Sequence, residues 1–362
     1  MNRKWWLVLA ASAVLALTAV ACGSSDNGSS SGVSGDLAGA GSSAQQAAQE
    51  AWTAKFEDQN SNATISYDPI GSGGGRDQFI AGGKTAFAGS DSPFDTDELP
   101  KATQRCSKDG GGQLLQLPNY LSPIAIIYNL QGVDNLQLSP DVTAKIFKGE
   151  ITTWDDPAIK SDNPGASLPS TKITPVHRSD ESGTTANFTD YLHAAAPSVW
   201  TDQPDSTWPL QGGEAGAQTS GMVQAVKAGD GTIGYADASQ AQGLGVAKVK
   251  VGNTWVAPSA QGASNDFDQS KKDPQLSQGK YVFAYTVQRT PTDPSAYPVL
   301  LVSYLMGCTK YSDTSTTNLV KAYFSYIISD AGQQVAAQNA GSAPIPPGVK
   351  KEDQPAIDAI GS

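Results

Sequence analysis

The chain has 362 residues and carries 35 acidic against 24 basic side chains, a formal charge of −11. That length allows two domains with cores of their own. The acidity argues against nucleic acid and anionic lipid as partners, so an anionic ligand would have to be held by local dipoles and a rare cation rather than by long-range attraction.

Residues 1–21 read as a secretory signal: Arg3 and Lys4 open it, Trp5 to Val20 is apolar apart from Ser12 and Thr18, and small residues lead to Cys22. A cysteine so placed resembles the lipid-modified residue of a bacterial lipoprotein, although Ala19 stands where leucine is usual. A membrane-spanning helix is the alternative, and the apolar run is short for one. Residues 22–35, dense in Gly and Ser, are expected to be a flexible tether. Cleavage before Cys22 would remove two positive charges and no negative one, leaving a still more acidic mature chain.

From Ser43 the spacing of Ala44, Ala47, Ala48, Ala51, Trp52 and Phe56 predicts a helix with one buried face, capped by Ser42 or Ser43. "ATISY" (63–67) alternates as a strand, "GSGGG" (71–75) breaks it, "RDQFIAGG" follows as a short helix and "TAFAGSDS" (85–92) as strand and turn. Two strand-to-helix units in series are an α/β pattern. "SPIAIIYNL" (122–130) reads as a buried strand, and "SPDVTAKIFKG" (139–149) as a helix with Ser-Pro at its start and Gly at its stop. The Pro/Gly-rich run 156–169 is expected to be a loop. "TKITPVHRS" is a strand feeding a helix over "TTANFTDYLHAA", residues 297–306 are a further buried strand, and 315–341 a helix with a second after it. The chain is expected to cross between two lobes near Leu121–Ile127 and return near Tyr285–Val299. That gives lobe I from 36–122 with 290–362, lobe II from 123–289, and a ligand cleft between them.

Cys106 and Cys308 form an even pair in an oxidising compartment, which predicts a disulfide; two buried free thiols are the alternative. His177 and His193 are the only histidines and neither lies near a cysteine, so no metal and no cofactor are expected. Trp154, Trp200, Trp208 and Trp255 are expected to pack rather than to stack on a sugar, and 269–275 to be a solvated loop.

Four short segments share a design: "GAGSSAQ" (39–45), "GSGGGR" (71–76), "GSDSPF" (89–94) and "HRSDESGTT" (177–185). Each sets Gly and Ser/Thr where a strand gives way to a helix or turn. Glycine there admits a close ligand, and hydroxyls and unpaired helix-start amides supply donors. Each alone is an ordinary turn; the four together, with Arg178 in the last, suggest an anion site. None is a Walker loop or a dinucleotide fingerprint. "ESGTT" is not a nucleophile elbow, and neither His177 nor His193 is clearly placed to serve Ser182 as a base, so catalysis is not expected.

As an ordered set these motifs resemble the phosphate-binding proteins of bacterial phosphate ABC importers, the PstS family. The resemblance runs from "LAGAGSSAQ" to "NAGSAPIP" and includes "IFKGEITTWDDPAI" (146–159). It implies a two-lobed α/β fold of the periplasmic-binding-protein type (type II) and a monomer that captures inorganic phosphate outside the cytoplasmic membrane. The lipid on Cys22 would tether it, and it would hand the ion to an ABC permease without catalysis. A receptor for another tetrahedral oxyanion such as sulfate, and a phosphate-ester hydrolase, are the alternatives. Carried over residue by residue, the phosphate ligands are Ser43 with the backbone of Ala44, Ser72, Asp91, Arg178, Ser182, Gly183 and Thr184. Asp180 then pairs with Arg178 from behind. Whether Ser42 or Ser43 donates stays open. Glu181 stands where the family often has glycine, and it is expected to face solvent.

Overall fold

The computed structural model describes residues 32–362. The signal sequence, Cys22 and most of the tether lie outside them. Among the described residues no helix is long and apolar enough to cross a membrane.

The main-sheet strands are β1 (Gly35–Gly41), β2 (Ala63–Asp68), β3 (Thr85–Ser90), β4 (Leu114–Asn129), β5 (Thr174–Arg178), β6 (Glu214–Gly216), β7 (Thr232–Asp237) and β8 (Leu300–Cys308). They lie in the order β2-β1-β3-β8-β4-β7-β5-β6, with two short strands added beside β4. β1 runs parallel to β2 and β3, and β5 parallel to β6 and β7. The crossovers within the parallel sets are helical, α1 (Gln46–Gln59) and α2 (Ser72–Ala81) in one and α5 (Gly183–Ala195) and α6 (Gln218–Ala228) in the other, while α3 (Glu98–Lys108) leads from β3 to β4 and α4 (Pro140–Phe147) lies between β4 and β5. α7 (Thr314–Ile328) and α8 (Asp330–Ala340) complete the first half.

β4 joins the halves. Its first ten residues pair with β8 and its last six with β7, both antiparallel. Fifteen of its sixteen residues are buried, so it reads as a nearly unbroken apolar run. Its polar members include Gln116, which accepts from Phe94 N at 2.8 Å and donates to Phe283 O at 3.0 Å. The sequence reading caught only the later part of this strand, because "LPNYL" carries Pro118 and Asn119 and looks like a turn.

Four local expectations are corrected. β1 begins at Gly35, inside the expected tether, because Gly35 pairs with Ala63 and Val33 packs against the core. "GSGGG" does follow the end of β2, with Gly71 outside the helix at φ +101, but Ser72 to Gly75 already belong to α2, ahead of its expected start at Arg76. There the glycines admit close neighbours: a Cβ on Gly75 would stand 2.3 Å from Gly41 Cα, and one on Gly73 2.4 Å from the Glu181 side chain. The run 156–169 contains a short helix, Pro157–Asp162, because the Asp156 side chain accepts from Ala158 N. The helix expected over 315–341 divides at Ser329, whose extended backbone ends α7 and whose hydroxyl caps α8.

Trp154 and Trp200 are fully buried, and Trp208 stacks on His177 with ring centroids 5.2 Å apart. Cys106 on α3 is disulfide-bonded to Cys308 at the end of β8, with Cα atoms 5.4 Å apart. Closing a loop with a separation of 202 residues restricts the unfolded chain by roughly 5 kcal/mol in the loop-entropy account.

Among the described residues two buried acids, Asp266 and Asp353, lack hydrogen-bond partners. Both carboxyl oxygens of Asp266, on the helix Ala260–Phe267, are without a hydrogen bond, and burial pushes the group up to about 7 against a partial offset from Arg289. A carboxyl raised in the folded state takes up a proton on folding, so it contributes no penalty below the unfolded value of 3.8 and a growing one up to about 7. Asp266→Asn should therefore match wild type near the acid end of that window and exceed it increasingly towards neutral pH. Urea midpoints at several pH values read this directly; a pH-independent difference would mean that Asp266 does not titrate in this way.

Candidate functional site

The functional loops gather where the parallel strands end, as open α/β sheets require. β1 ends at Gly41 and leads through Ser42, Ser43 and Ala44 into α1. The β2–α2 turn presents Ser72, β3 leads directly into Asp91, and β5 ends at Arg178 ahead of Ser182 and α5. Glycine makes these approaches possible. A Cβ on Gly41 would sit 1.9 Å from Gly89 O, and one on Gly183 would meet the Asp91 Cβ at 2.7 Å and the Ser72 hydroxyl at 2.8 Å.

Asp91 is the centre. It is 3% exposed, and its carboxylate accepts from the hydroxyls of Ser303 (2.5 Å), Ser42 (2.6 Å) and Thr184 (3.3 Å). Its amide donates to Ser72 Oγ at 3.1 Å, and its carbonyl accepts from Asn187 Nδ2 at 2.7 Å. Burial pushes the carboxyl above its ordinary value, while Ser303, Ser42, the Arg178 charge and Thr184 hold that rise back. A carboxylate offers about four acceptor positions, so three hydroxyls leave room for one more donor.

Arg178 is likewise buried. Its Nε donates to Asp180 Oδ1 at 2.8 Å and its Nη2 to Asp180 Oδ2, leaving Nη1 without a partner among the described residues. Burial alone would raise Asp180. The Arg178 hydrogen bonds and charge, with the Gln218 amide at 2.8 Å, outweigh it and hold the carboxyl below its usual value. The pair thus aims the guanidinium and tempers its charge.

α5 starts here. Ser182 caps it, its hydroxyl accepting from Thr185 N at 3.3 Å, so the Gly183 and Thr184 amides have no intrahelical partner. Helix-start amides of this kind favour an anion. The structure thus brings Ser72, Asp91, Gly183 and Thr184 together directly, with Arg178 beside the Gly71–Ser72 turn. The two first-loop serines face differently. Ser42 Oγ donates to Asp91, whereas Ser43 Oγ lies 3.0 Å from Thr219 Oγ1 and accepts from Thr219 N at 2.9 Å. Ala44 N donates to Ser42 Oγ at 3.1 Å.

Among the described residues no group of His, Cys, Asp and Glu is placed to hold a metal ion. His177 Nδ1 and His193 Nδ1 each sit 2.9 Å from a backbone carbonyl, of Arg178 and Asp202.

A family model described as a PBP superfamily domain matches residues 27–331. Phosphate-binding protein PstS2 of Mycobacterium bovis is 34% identical over 370 residues, spanning 97% of each chain. This chain belongs to the PstS family. Phosphate-binding protein PstS 3 of Mycobacterium leprae is 36% identical over 340 residues, 90% of this chain and 86% of its own. Two solved structures share the two-lobed fold. A high-affinity periplasmic phosphate-binding protein (PfluDING) bound with phosphate superposes with a TM-score of 0.68 at 24% identity, covering 88% of this chain and 92% of its own. A human phosphate binding apolipoprotein superposes with a TM-score of 0.70 at 23% identity, covering 87% and 93%. PstS proteins are solute-binding proteins, and this member is not an enzyme.

Several site residues of this PstS chain escape a sequence reading. Thr219 had a signal: "EAGAQTSG" (214–221) is another Gly/Ser/Thr junction before a helix. Ser303 had none, being one hydroxyl inside the apolar strand β8. Asn187 ties Asp91 to Arg289, whose Nη2 donates to Asn187 Oδ1 at 2.6 Å and whose Nε donates to Asp190 at 2.7 Å. Glu181 is exposed, as expected of it, but it also has partners. Half-exposed as it is, its carboxylate accepts from Arg76 Nη2 at 2.6 Å and from Ser206 Oγ at 3.1 Å. Arg178 is therefore not the sole arginine near the cleft.

Proposed function

We propose that this protein captures inorganic phosphate outside the cytoplasmic membrane and delivers it to an ABC-type permease. It would work as a monomer tethered by lipid on Cys22. Its lobes are 36–122 with 290–362, and 123–289, and the functional event is their closure on the anion. The mature body starts a few residues earlier than that first boundary, given the packing of Val33 and the pairing of Gly35.

The observation that carries the reading is Asp91: a buried carboxylate set among hydroxyls, facing the start of α5, with an arginine close by. A site for a fully deprotonated anion has no use for a buried acceptor. Phosphate keeps at least one proton at neutral pH and can donate it there. Arg178 Nη1, the Gly183 and Thr184 amides, and the hydroxyl of Ser72 supply donors for the remaining oxygens, while the Thr184 hydroxyl donates to Asp91. Ser182 acts through the helix start it caps. Ser43 and Ala44 contribute from the first loop, where Ser42 already serves Asp91. Relatives named for phosphate binding support the same ligand.

The test is calorimetry of residues 32–362 against phosphate, arsenate and sulfate at fixed pH and salt. Phosphate and its protonated analogue arsenate should bind, and sulfate should bind far more weakly. Sulfate binding as tightly as phosphate would overturn the assignment.

A further inference from the structure

The Arg76–Glu181 contact joins the two halves at the mouth of the site. Arg76, on α2, is 4% exposed and fixed entirely from its own half. Its Nε reaches both carboxyl oxygens of Glu98 at 3.0 and 2.9 Å, and its Nη1 donates to Ser90 Oγ at 3.1 Å and Ser92 Oγ at 2.8 Å. Only Nη2 looks across, to Glu181 Oε1 at 2.6 Å. Glu181 is held from its own half by Ser206, and its carbonyl accepts from Gly73 N at 3.3 Å. The Glu181 side chain lies where a Cβ on Gly73 would be, and a Cβ on Gly71 would stand 2.5 Å from Asp180 Oδ2. Two glycines of α2 and its cap thus clear space for the Asp180–Glu181 turn.

We propose that Arg76 and Glu181 are a closure latch that sets how fast phosphate leaves, Glu181 being a positioning residue for the closed state and not a ligand. This rests on the phosphate reading above. The reasoning is differential. When the halves separate, Arg76 keeps Glu98, Ser90 and Ser92, and Glu181 keeps Ser206, so the ion pair between Arg76 and Glu181 is lost together with the hydrogen bonds from Gly73 N to Glu181 O, from Thr184 and Asn187 to Asp91, and between Ser43 and Thr219. An interaction present in one state alone shifts the balance towards that state by its own strength. A guanidinium already desolvated and pre-aimed loses little on making this bond, which places it above an ordinary exposed ion pair although Glu181 is half in water. The latch also works against the anion's own charge balance, since Glu181 brings a negative group to the mouth. Removing that charge should leave capture no slower.

Release of labelled phosphate into excess unlabelled phosphate, and the association rate by stopped flow, separate the effects. Wild-type binding is measured first; if it is absent, the phosphate reading fails and not the latch alone. With binding present, Glu181→Gln and Glu181→Ala should each speed release about tenfold, with association within about twofold of wild type. Thermal unfolding should be nearly unchanged, since the side chain is half-exposed. Release accelerated by less than about fivefold in both variants, or slowed, would overturn the latch.

Discussion

Arg178→Ala should weaken phosphate binding by about two to three orders of magnitude, the range for truncating one partner of a buried, hydrogen-bonded charge pair. Three losses act together. The ligand loses the donor at Nη1. Asp180 loses the group that holds its carboxyl low and is left as a partly buried negative charge facing an anion. Asp91 loses a charge that restrains its upward shift. Arg178→Lys should recover only part of the affinity, because an ammonium cannot engage both Asp180 oxygens and still present a third nitrogen in a fixed direction. Glu181 offers a comparison in the same turn: its removal should weaken binding only about tenfold, through faster release alone, against two to three orders of magnitude for Arg178→Ala. Calorimetry of wild type, Arg178→Ala, Arg178→Lys and Glu181→Gln at one salt concentration makes the measurement. Equal affinity in wild type and Arg178→Ala would remove this arginine from the site.

What could be read from the sequence follows the locality of its causes. The convergence of the Gly/Ser/Thr loops is legible because each rests on a short-range rule: glycine at a strand end, hydroxyls at a helix start, an arginine two residues before an acid. Ser72, Asp91, Gly183 and Thr184 converge for that reason. The rest depends on what the fold places opposite. Ser303 donates to Asp91 across 212 residues of chain, and Ser43 meets Thr219 across 176. Nothing near Ser303 distinguishes it from any hydroxyl in an apolar strand. Gly73, Gly74 and Gly75 fall inside α2, ahead of its expected start at Arg76, for a related cause. Their poor helix propensity is a local signal for a break, but Gly75 lies against the Gly41 backbone and Gly73 against Glu181, and this packing overrides the propensity. The same contact hid the role of Glu181, whose partner is 105 residues away on that helix.

Asp91→Asn should collapse the discrimination between phosphate and sulfate. The two ions share shape and nearly share size, so packing cannot separate them; they differ in the proton. In the wild type both carboxyl oxygens of Asp91 are fixed by Ser303, Ser42 and Thr184, so the side chain cannot turn away from an unsuitable ligand. On the proposed reading, bound phosphate would donate its hydroxyl to the remaining acceptor position. Sulfate brings an unprotonated oxygen there, leaving a buried acceptor unpaired beside a like charge. A site built around a ligand's hydroxyl rejects the analogue lacking it by on the order of 10⁴ or more. Asparagine keeps the shape of the side chain but turns one acceptor into a donor, which suits an unprotonated oxygen and sets one of the three hydroxyls against an N–H. Phosphate should therefore bind more weakly and sulfate more tightly, and the ratio between them should fall steeply. The upward shift of the Asp91 carboxyl adds a check on the wild type. As pH falls and that carboxyl takes up a proton it can donate, so sulfate should begin to compete with labelled phosphate, while Asp91→Asn, having nothing to titrate at that position, should show no such onset. A mutant whose phosphate-to-sulfate ratio equals that of wild type at neutral pH would show that Asp91 is not the discriminator, and selectivity would then have to come from the donors around Arg178 and the start of α5.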